Sequence, residues 1–319
     1  MANRFLITGG AGFIGSWLIE LIMDAMQDAT VVNLDALTYA GHLDNLTAVR
    51  SNPRYRFVHG DISDRALVLE LMQNADICIN VAAQTHVDRS ISGPELFVET
   101  NITGTSVLLD AARKAGIQRF IQVSTDEVYG SIAGMASFSE TDKLNPSSPY
   151  SASKASGDLL ALSYYKTYGL PVCITRCSNN YGPRQFPEKL IPLFIMNACH
   201  NKRLPVYGDG KNKRDWIYVT DHCKAILAVL QHGQPGEIYN IGTGDELDNL
   251  SITKTLLSLL DKPEHLIEFV ADRPAHDWRY ALNTTKIKTT LNWSPEVSFE
   301  TGLQKTIEWY QHRSSTLAV

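Results

Sequence analysis

The amino-acid sequence predicts an α/β fold, a doubly wound parallel sheet with a smaller, interleaved C-terminal domain, and three observations predict it. Short apolar runs alternate with stretches of helical spacing through the first half of the chain. The first of those runs breaks into a glycine-rich turn that opens a helix. After a strand candidate at Val172 to Arg176 the rhythm weakens, and Pro and Gly recur at 182–183, 187, 192, 205, 208 and 210.

Phe5 to Thr8 reads as the first strand, and Phe13, Ile14, Trp17, Leu18, Leu21 and Ile22 follow at helical intervals. Val31 to Asp35, Arg56 to His59 and Ile77 to Ala82 read as three further buried strands. A helix is expected over 101–115 with Gly116 as its stop, then a strand from Arg119 to Ser124. A long helix opens near Pro149 and closes at Gly169-Leu170-Pro171. Glu237 to Ile241 reads as one more sheet strand, before an amphipathic helix around Ile252 to Leu260 and a polar, Pro-containing segment through 272–296.

Composition narrows the partners. A chain of 319 residues, 44% apolar and 20% charged, buries a sizeable core without disulfide or metal staples. Its 29 basic and 34 acidic residues leave a net charge of -5, which disfavours nucleic acid or anionic lipid as the main partner and favours a small molecule. The cysteines at 78, 173, 177, 199 and 223 are odd in number and contain no C-x-x-C, and with no secretory leader the expected location is the reducing cytoplasm. Apolar stretches such as Ile191 to Cys199 fall far short of the roughly 20 residues that span a bilayer, so no membrane segment is expected. The scattered histidines form no H-E-x-x-H and no zinc spacing, and no metal is expected.

Thr8-Gly9-Gly10-Ala11-Gly12-Phe13-Ile14-Gly15 joins strand to helix in the place where glycines permit a tight turn, close approach of a pyrophosphate and helix–strand packing. Asp35 ends the second strand where a carboxylate accepts hydrogen bonds from an adenosine ribose and repels a 2′-phosphate, which predicts NAD over NADP. Gly60-Asp61-Ile62 reads equally as an adenine contact or as a turn whose Asp caps the next helix. Val81-Ala82-Ala83 leaves room for a cofactor or for close helix packing.

Tyr150 and Lys154 stand four apart, on one face of the long helix, where an ammonium helps a phenol act as proton acceptor. From the glycine turn to Tyr150-Ser151-Ala152-Ser153-Lys154, the pattern resembles the extended short-chain dehydrogenase/reductase family, whose core is a Rossmann sheet. Ser124-Thr125-Asp126-Glu127-Val128-Tyr129-Gly130 follows a sheet strand at its ligand-binding end; alone it reads as a helix cap with acidic first-turn residues. Within that family it resembles the nucleotide-sugar 4,6-dehydratases. The segments 82–90, 176–183, 186–192, 213–216 and 272–277 are similar to those acting on dTDP-glucose, and the resemblance covers nearly the whole chain.

That resemblance implies a lyase that takes an NDP-glucose, dTDP-glucose first, to its 4-keto-6-deoxy derivative and water, through C4 oxidation, C5/C6 elimination and hydride return to C6, with NAD regenerated each cycle. Tyr150 would accept the C4 hydroxyl proton, with Lys154 holding the phenolate and the nicotinamide ribose. Glu127 would remove the C5 proton, Asp126 would protonate the departing C6 hydroxyl, and Thr125 would bind the C4 oxygen. Two carboxyl groups in opposite protonation states are what such an elimination requires. The implied cofactor residues are Gly9, Gly12, Phe13, Ile14, Gly15, Asp35, Ala36, Leu37, Thr38, Asp61, Ile62, Val81, Ala82, Ala83, Thr100, Tyr150, Lys154 and Asn180. Those implied for the nucleotide sugar are Thr85, Thr125, Asn179, Lys189, Leu190, Pro205, Val206, Tyr207, Arg214, Asn249, Arg273 and His276. Lys189, Arg214 and Arg273 supply cations suited to a diphosphate, whereas Lys211 and Lys213 read as a solvated loop. His276 reads as a ligand or as a structural or surface histidine.

The chain departs from the bacterial dTDP-glucose pattern at Gln84-Thr85, Arg184, Ala275 and Trp278, which leaves the base open between dTDP and UDP. UDP-glucuronate decarboxylases typically carry Ser at position 126, sugar 4-epimerases lack the paired carboxylates, and a non-catalytic dinucleotide sensor would lose Tyr150 and Lys154. The expected division is a NAD-binding domain of 1–178 plus about 216–243 and a nucleotide-sugar domain of 179–215 and 244–319. Helices 101–115 and 150–168 carry Gly104, Ala111, Ala112, Ala152, Ala155 and Gly157; the equivalent helices form a dimer's four-helix bundle in the family, so a homodimer is expected.

Overall fold

The computed structural model describes residues 3–272, 274 and 276–316. In chain order its elements begin with β1 (Asn3–Thr8), α1 (Phe13–Ala25), β2 (Ala29–Asp35), β3 (Tyr55–His59), α2 (Arg65–Gln73) and β4 (Ile77–Asn80). Short helices α3 (Val87–Ser92) and α4 (Glu95–Phe97) lead through a π-helical stretch, Val98–Gly104, into α5 (Thr105–Ala115). Next come β5 (Arg119–Thr125), α6 (Pro149–Tyr168), β6 (Val172–Cys177), β7 (Asn179–Tyr181), α7 (Leu190–Cys199), β8 (Leu204–Tyr207) and β9 (Lys213–Tyr218). The chain continues through α8 (Val219–His232), β10 (Ile238–Ile241), β11 (Glu246–Asp248), α9 (Asn249–Leu259), β12 (Ile267–Val270), α10 (Thr285–Leu291) and α11 (Phe299–Thr316).

Seven strands form one parallel sheet in the order β10-β6-β5-β4-β1-β2-β3, as the alternation of apolar runs and helices predicts. Along β1 the side chains alternate across it: Phe5 and Ile7 enter a core with α1 and α8, while Leu6 enters the opposite core with α2, α5 and α6. A third core gathers Ile191 and Phe194 of α7, Leu256 of α9 and Leu303 and Ile307 of α11 around Tyr181 and Trp216. It rests on a three-stranded sheet, β11-β9-β7, and a two-stranded one, β12-β8.

The long helix behaves as its sequence dictates: Ser148 caps it in a reciprocal box with Ser151, Pro149 sits in its first turn, and Gly169 closes it at φ 70°. The helix expected from 101 differs. Helical structure already begins at Glu95, and the π-helical stretch fits one extra residue into a turn, so that Asn101 points inward. Its side chain accepts from the Gln84 amide at 2.9 Å and donates to the Gln84 carbonyl at 3.0 Å and to Ser153 Oγ at 2.8 Å. In the span expected to bind the sugar, Ile287 and Trp293 pack into the α1/α8 core of the large sheet. The two portions are therefore more interleaved than the sequence expectation.

Candidate active site

The carboxyl ends of β1, β2, β4, β5 and β6 converge at one edge of the sheet, on either side of the point where strand order reverses between β1 and β4. The glycine turn lies there. Gly9 takes φ 70°, and a Cβ on it would stand 2.7 Å from the Ala82 backbone; one on Gly15 would stand 2.3 Å from the Gly9 carbonyl. Gly12 precedes helix α1 and offers no side-chain cap, leaving the first N–H groups of the helix for an anion. Asp35, at the end of β2, accepts from the Ala11 and Leu37 amides at 2.8 Å each. Burial nevertheless pushes its carboxyl up from the ordinary value.

Every expected cofactor residue except Leu37 lines one large cleft beneath this edge. Leu37 instead makes the turn: its backbone is left-handed at φ 48°, its N–H caps Asp35, and its side chain packs on the sheet core. Asp61 holds a turn by accepting from the Ser63 amide at 2.8 Å, while the cap of α2 is Asp64, so the helix-cap alternative falls to the later residue. The uncapped helix start, the glycine cradle and the Asp35 carboxyl at the end of β2 fit a dinucleotide.

Where the strands of the sheet give way to the second portion, the reactive side chains gather in the same cleft. Thr125 ends β5 and caps a short 3-10 turn, Asp126–Tyr129, accepting from the Glu127 amide at 3.3 Å and donating to Asp126 Oδ1 at 3.2 Å. The acidic-cap reading and the catalytic one thus describe the same residues. Asp126 is 3% exposed, and burial together with Glu127 holds its carboxyl well above the usual range. Ser124 Oγ, Asp126 Oδ2 and Asn179 Oδ1 are buried polar atoms without a protein partner, all on this cleft, which is the pattern of a site awaiting a polar ligand.

Tyr150 is nearly buried, edge-on to Phe97 at 6.3 Å. Burial, then Glu127 and Cys177, push its phenol well above the ordinary value, with a hydrogen bond to Thr125 opposing them. Lys154, the expected support of the phenolate, donates to the Val123 carbonyl at 2.7 Å, and burial lowers its own value. Burial, ahead of the Glu127 charge, therefore dominates the phenol's surroundings in this structure.

A second cleft adjoins the first and shares Thr85, Asn179 and Lys189 with it. Leu190, Pro205, Val206, Tyr207, Arg214, Asn249 and His276 line it as expected, whereas Arg273 lies outside the described residues. Lys189 Nζ donates to the Thr85 carbonyl at 2.9 Å. Arg214 is buried over the Tyr280 ring at 4.2 Å and donates to the carbonyls of Lys213, Asp277 and Trp278, so it fixes the 277–278 segment as well as lining the cleft. Among the departures, Gln84 is held through its backbone by Asn101, Trp278 is half exposed and serves through its carbonyl, and Ala275 lies outside the described residues.

Sequence reasoning left out Tyr39, Gln185, Phe186 and Glu188, which also line the first cleft. Glu188 pairs with Arg89 at 3.1 Å, whose guanidinium lies over the Tyr39 ring at 3.9 Å. Only Phe186 and Glu188 carry a local signal, their place inside a compact Phe-Pro-Glu-Lys block. His222 was also unsuspected: fully buried on α8, it meets Asn180 Oδ1 at 2.9 Å while Asn180 Nδ2 donates to the Ser178 carbonyl. The accepting Oδ1 assigns the proton to His222 Nδ1, and burial pushes the ring down to about 3, so it orients Asn180 as a neutral imidazole.

This sheet, its glycine turn and a Tyr-x-x-x-Lys helix beside paired carboxylates define a nucleotide-sugar-modifying member of the extended short-chain dehydrogenase/reductases. Residues 6–306 match the family model described as GDP-mannose 4,6 dehydratase. The chain is 55% identical over 305 residues to the low-salt glycan biosynthesis protein Agl12 of Haloferax volcanii, covering 96% of this chain and 97% of that protein. It is 48% identical over 338 residues to the dTDP-glucose 4,6-dehydratase of Escherichia coli, covering 96% and 93%. Its structure superposes on DesIV, the dTDP-glucose 4,6-dehydratase of Streptomyces venezuelae solved with NAD and dTDP bound, with TM-score 0.95 and 50% identity over 98% of both chains. The chain belongs to the nucleotide-sugar 4,6-dehydratase family.

Proposed function

We propose that the protein is a NAD-dependent hydro-lyase that converts dTDP-glucose to dTDP-4-keto-6-deoxyglucose and water. The observation that carries this reading is the pair at the end of β5: a buried Asp126, its carboxyl raised well above the usual range, beside Glu127, with Tyr150 in the same cleft. Loss of a hydroxyl needs a proton donor, which neither a decarboxylation nor an epimerisation at C4 needs.

Bound NAD would supply a hydride acceptor and donor, and in its oxidised form a positive charge that favours the Tyr150 phenolate. Tyr150 takes the proton of the C4 hydroxyl while Thr125 binds that oxygen. The resulting ketone acidifies C5–H; Glu127 takes that proton and Asp126 gives its own to the C6 hydroxyl, which leaves as water. Proton return to C5 through Glu127 accompanies restoration of C6 as a methyl group. Lys189 and Arg214, with Arg273 by resemblance, are the cations proposed for the diphosphate.

Among the described residues no helix is long and apolar enough to cross a membrane, and a cytoplasmic location is the reading that suits the free cysteines. Exposed Leu96, Val98 and Leu159 on the adjoining layer of α4, the π-helical stretch and α6 support a homodimer. The separate core around α7, α9 and α11 supports the two-domain division. Incubating the protein with dTDP-, UDP-, CDP- and GDP-glucose side by side tests the substrate: the alkali-induced ultraviolet absorbance of a 4-keto-6-deoxy sugar should arise fastest with dTDP-glucose. Faster turnover of UDP-glucose would replace the base, and absence of any turnover would reject the enzyme reading.

A further inference from the structure

The loop between β7 and α7 is tied down far more heavily than a connection needs. Gln185 and Phe186 of this loop line the same cleft as the α1 N-terminus and residues 38–41. On one side, Phe186 stands edge-on to Tyr39 at 5.5 Å and stacks on His42 at 5.8 Å. On the other, Trp17 of α1 donates its indole N–H to the Pro183 carbonyl at 3.0 Å. Tyr310 of α11 donates to the Gln185 carbonyl from behind.

Arg184 is the knot in this strap. Its backbone is left-handed at φ 73°, a conformation arginine adopts only under constraint. Its guanidinium reaches back to Glu20 at 2.9 Å and to Ser16 Oγ at 3.4 Å, and lies over the Trp17 ring at 4.2 Å. Both charged side chains are 16% exposed, so the pair is poorly screened and bridges the loop to the helix that carries the glycine cradle.

We propose that Arg184 is a positioning residue that fastens segment 183–189 over the dinucleotide cleft, so that cofactor release waits on opening of the Arg184–Glu20 pair. The proposal rests on the NAD reading above. An enzyme that regenerates its cofactor each cycle gains nothing from releasing it, and a strap pinned to both walls of the cleft retains it between turnovers.

Protein loaded with radiolabelled NAD and chased with unlabelled NAD gives the exchange rate directly. Arg184→Ala and Glu20→Ala should each lose label about tenfold faster than wild type, a factor that corresponds to about 1.4 kcal/mol. The exchanged pair, Arg184→Glu with Glu20→Arg, should recover slow release, which a merely structural role would not do. Wild-type rates in both alanine variants, or an exchanged pair as leaky as either single change, would overturn the proposal. A wild-type protein that neither carries NAD as purified nor takes up label would instead sink the cofactor reading, and the strap's role with it.

Discussion

Asp126 is a fully enclosed carboxyl beside a second acid, and desolvation, ahead of the Glu127 charge, holds it well above the ordinary value against the opposing pull of Arg214 and Thr125. A carboxyl raised in the folded state contributes stability that is complete below its unfolded value of 3.8 and is lost as pH rises through the folded value. Asp126→Asn should therefore raise the melting temperature at pH 8 relative to wild type, with the gain vanishing toward pH 4; calorimetry at the two pH values checks it. The same change should slow elimination by about 10²–10⁴-fold, the usual worth of a positioned acid. Glu127→Gln should suppress wash-in of solvent deuterium at C5, measured by mass spectrometry of the product. Undiminished exchange in that variant removes Glu127 as the base.

At the scale of elements, α6 is fixed to the sheet by one interior ion pair: Arg176 of β6 donates through Nε to Asp158 of α6 at 2.9 Å, both almost wholly buried. Removing one partner strands the other charge, so Asp158→Ala should lower the unfolding free energy by about 3–5 kcal/mol in urea titration. Neither residue was legible as a pair beforehand, because eighteen positions and a change from helix to strand separate them. The seven strands of the large sheet were legible, since parallel strands covered on both faces read as apolar runs, whereas β7, β8, β9, β11 and β12 were not; the long helix, whose Ser148, Pro149 and Gly169 mark its ends, was legible too. The π-helical stretch was not: nothing in Val98–Gly104 breaks helical spacing, and the extra residue is fixed by Asn101 reaching Gln84 and Ser153. In the site, contiguous motifs announced themselves, whereas Tyr39 and His222 depend on tertiary approach that no local pattern encodes.

For the whole molecule, the proposed homodimer predicts a mass near twice that of one chain in light scattering at micromolar protein, and a monomeric mass would refute it. The chain path adds a demand of another kind. β10 closes the edge of the large sheet beside β6, yet β7, α7, β8, β9 and α8 intervene between them. A nascent chain emerging from the ribosome thus adds the last strand of the large sheet only after about half of the third core's residues have been made, and until then β6 presents an unpaired edge. Vectorial synthesis makes that interval the moment of greatest exposure to aggregation and chaperone capture. A fragment ending at 178 would carry the glycine turn and the reactive residues, but would remain in that half-built condition.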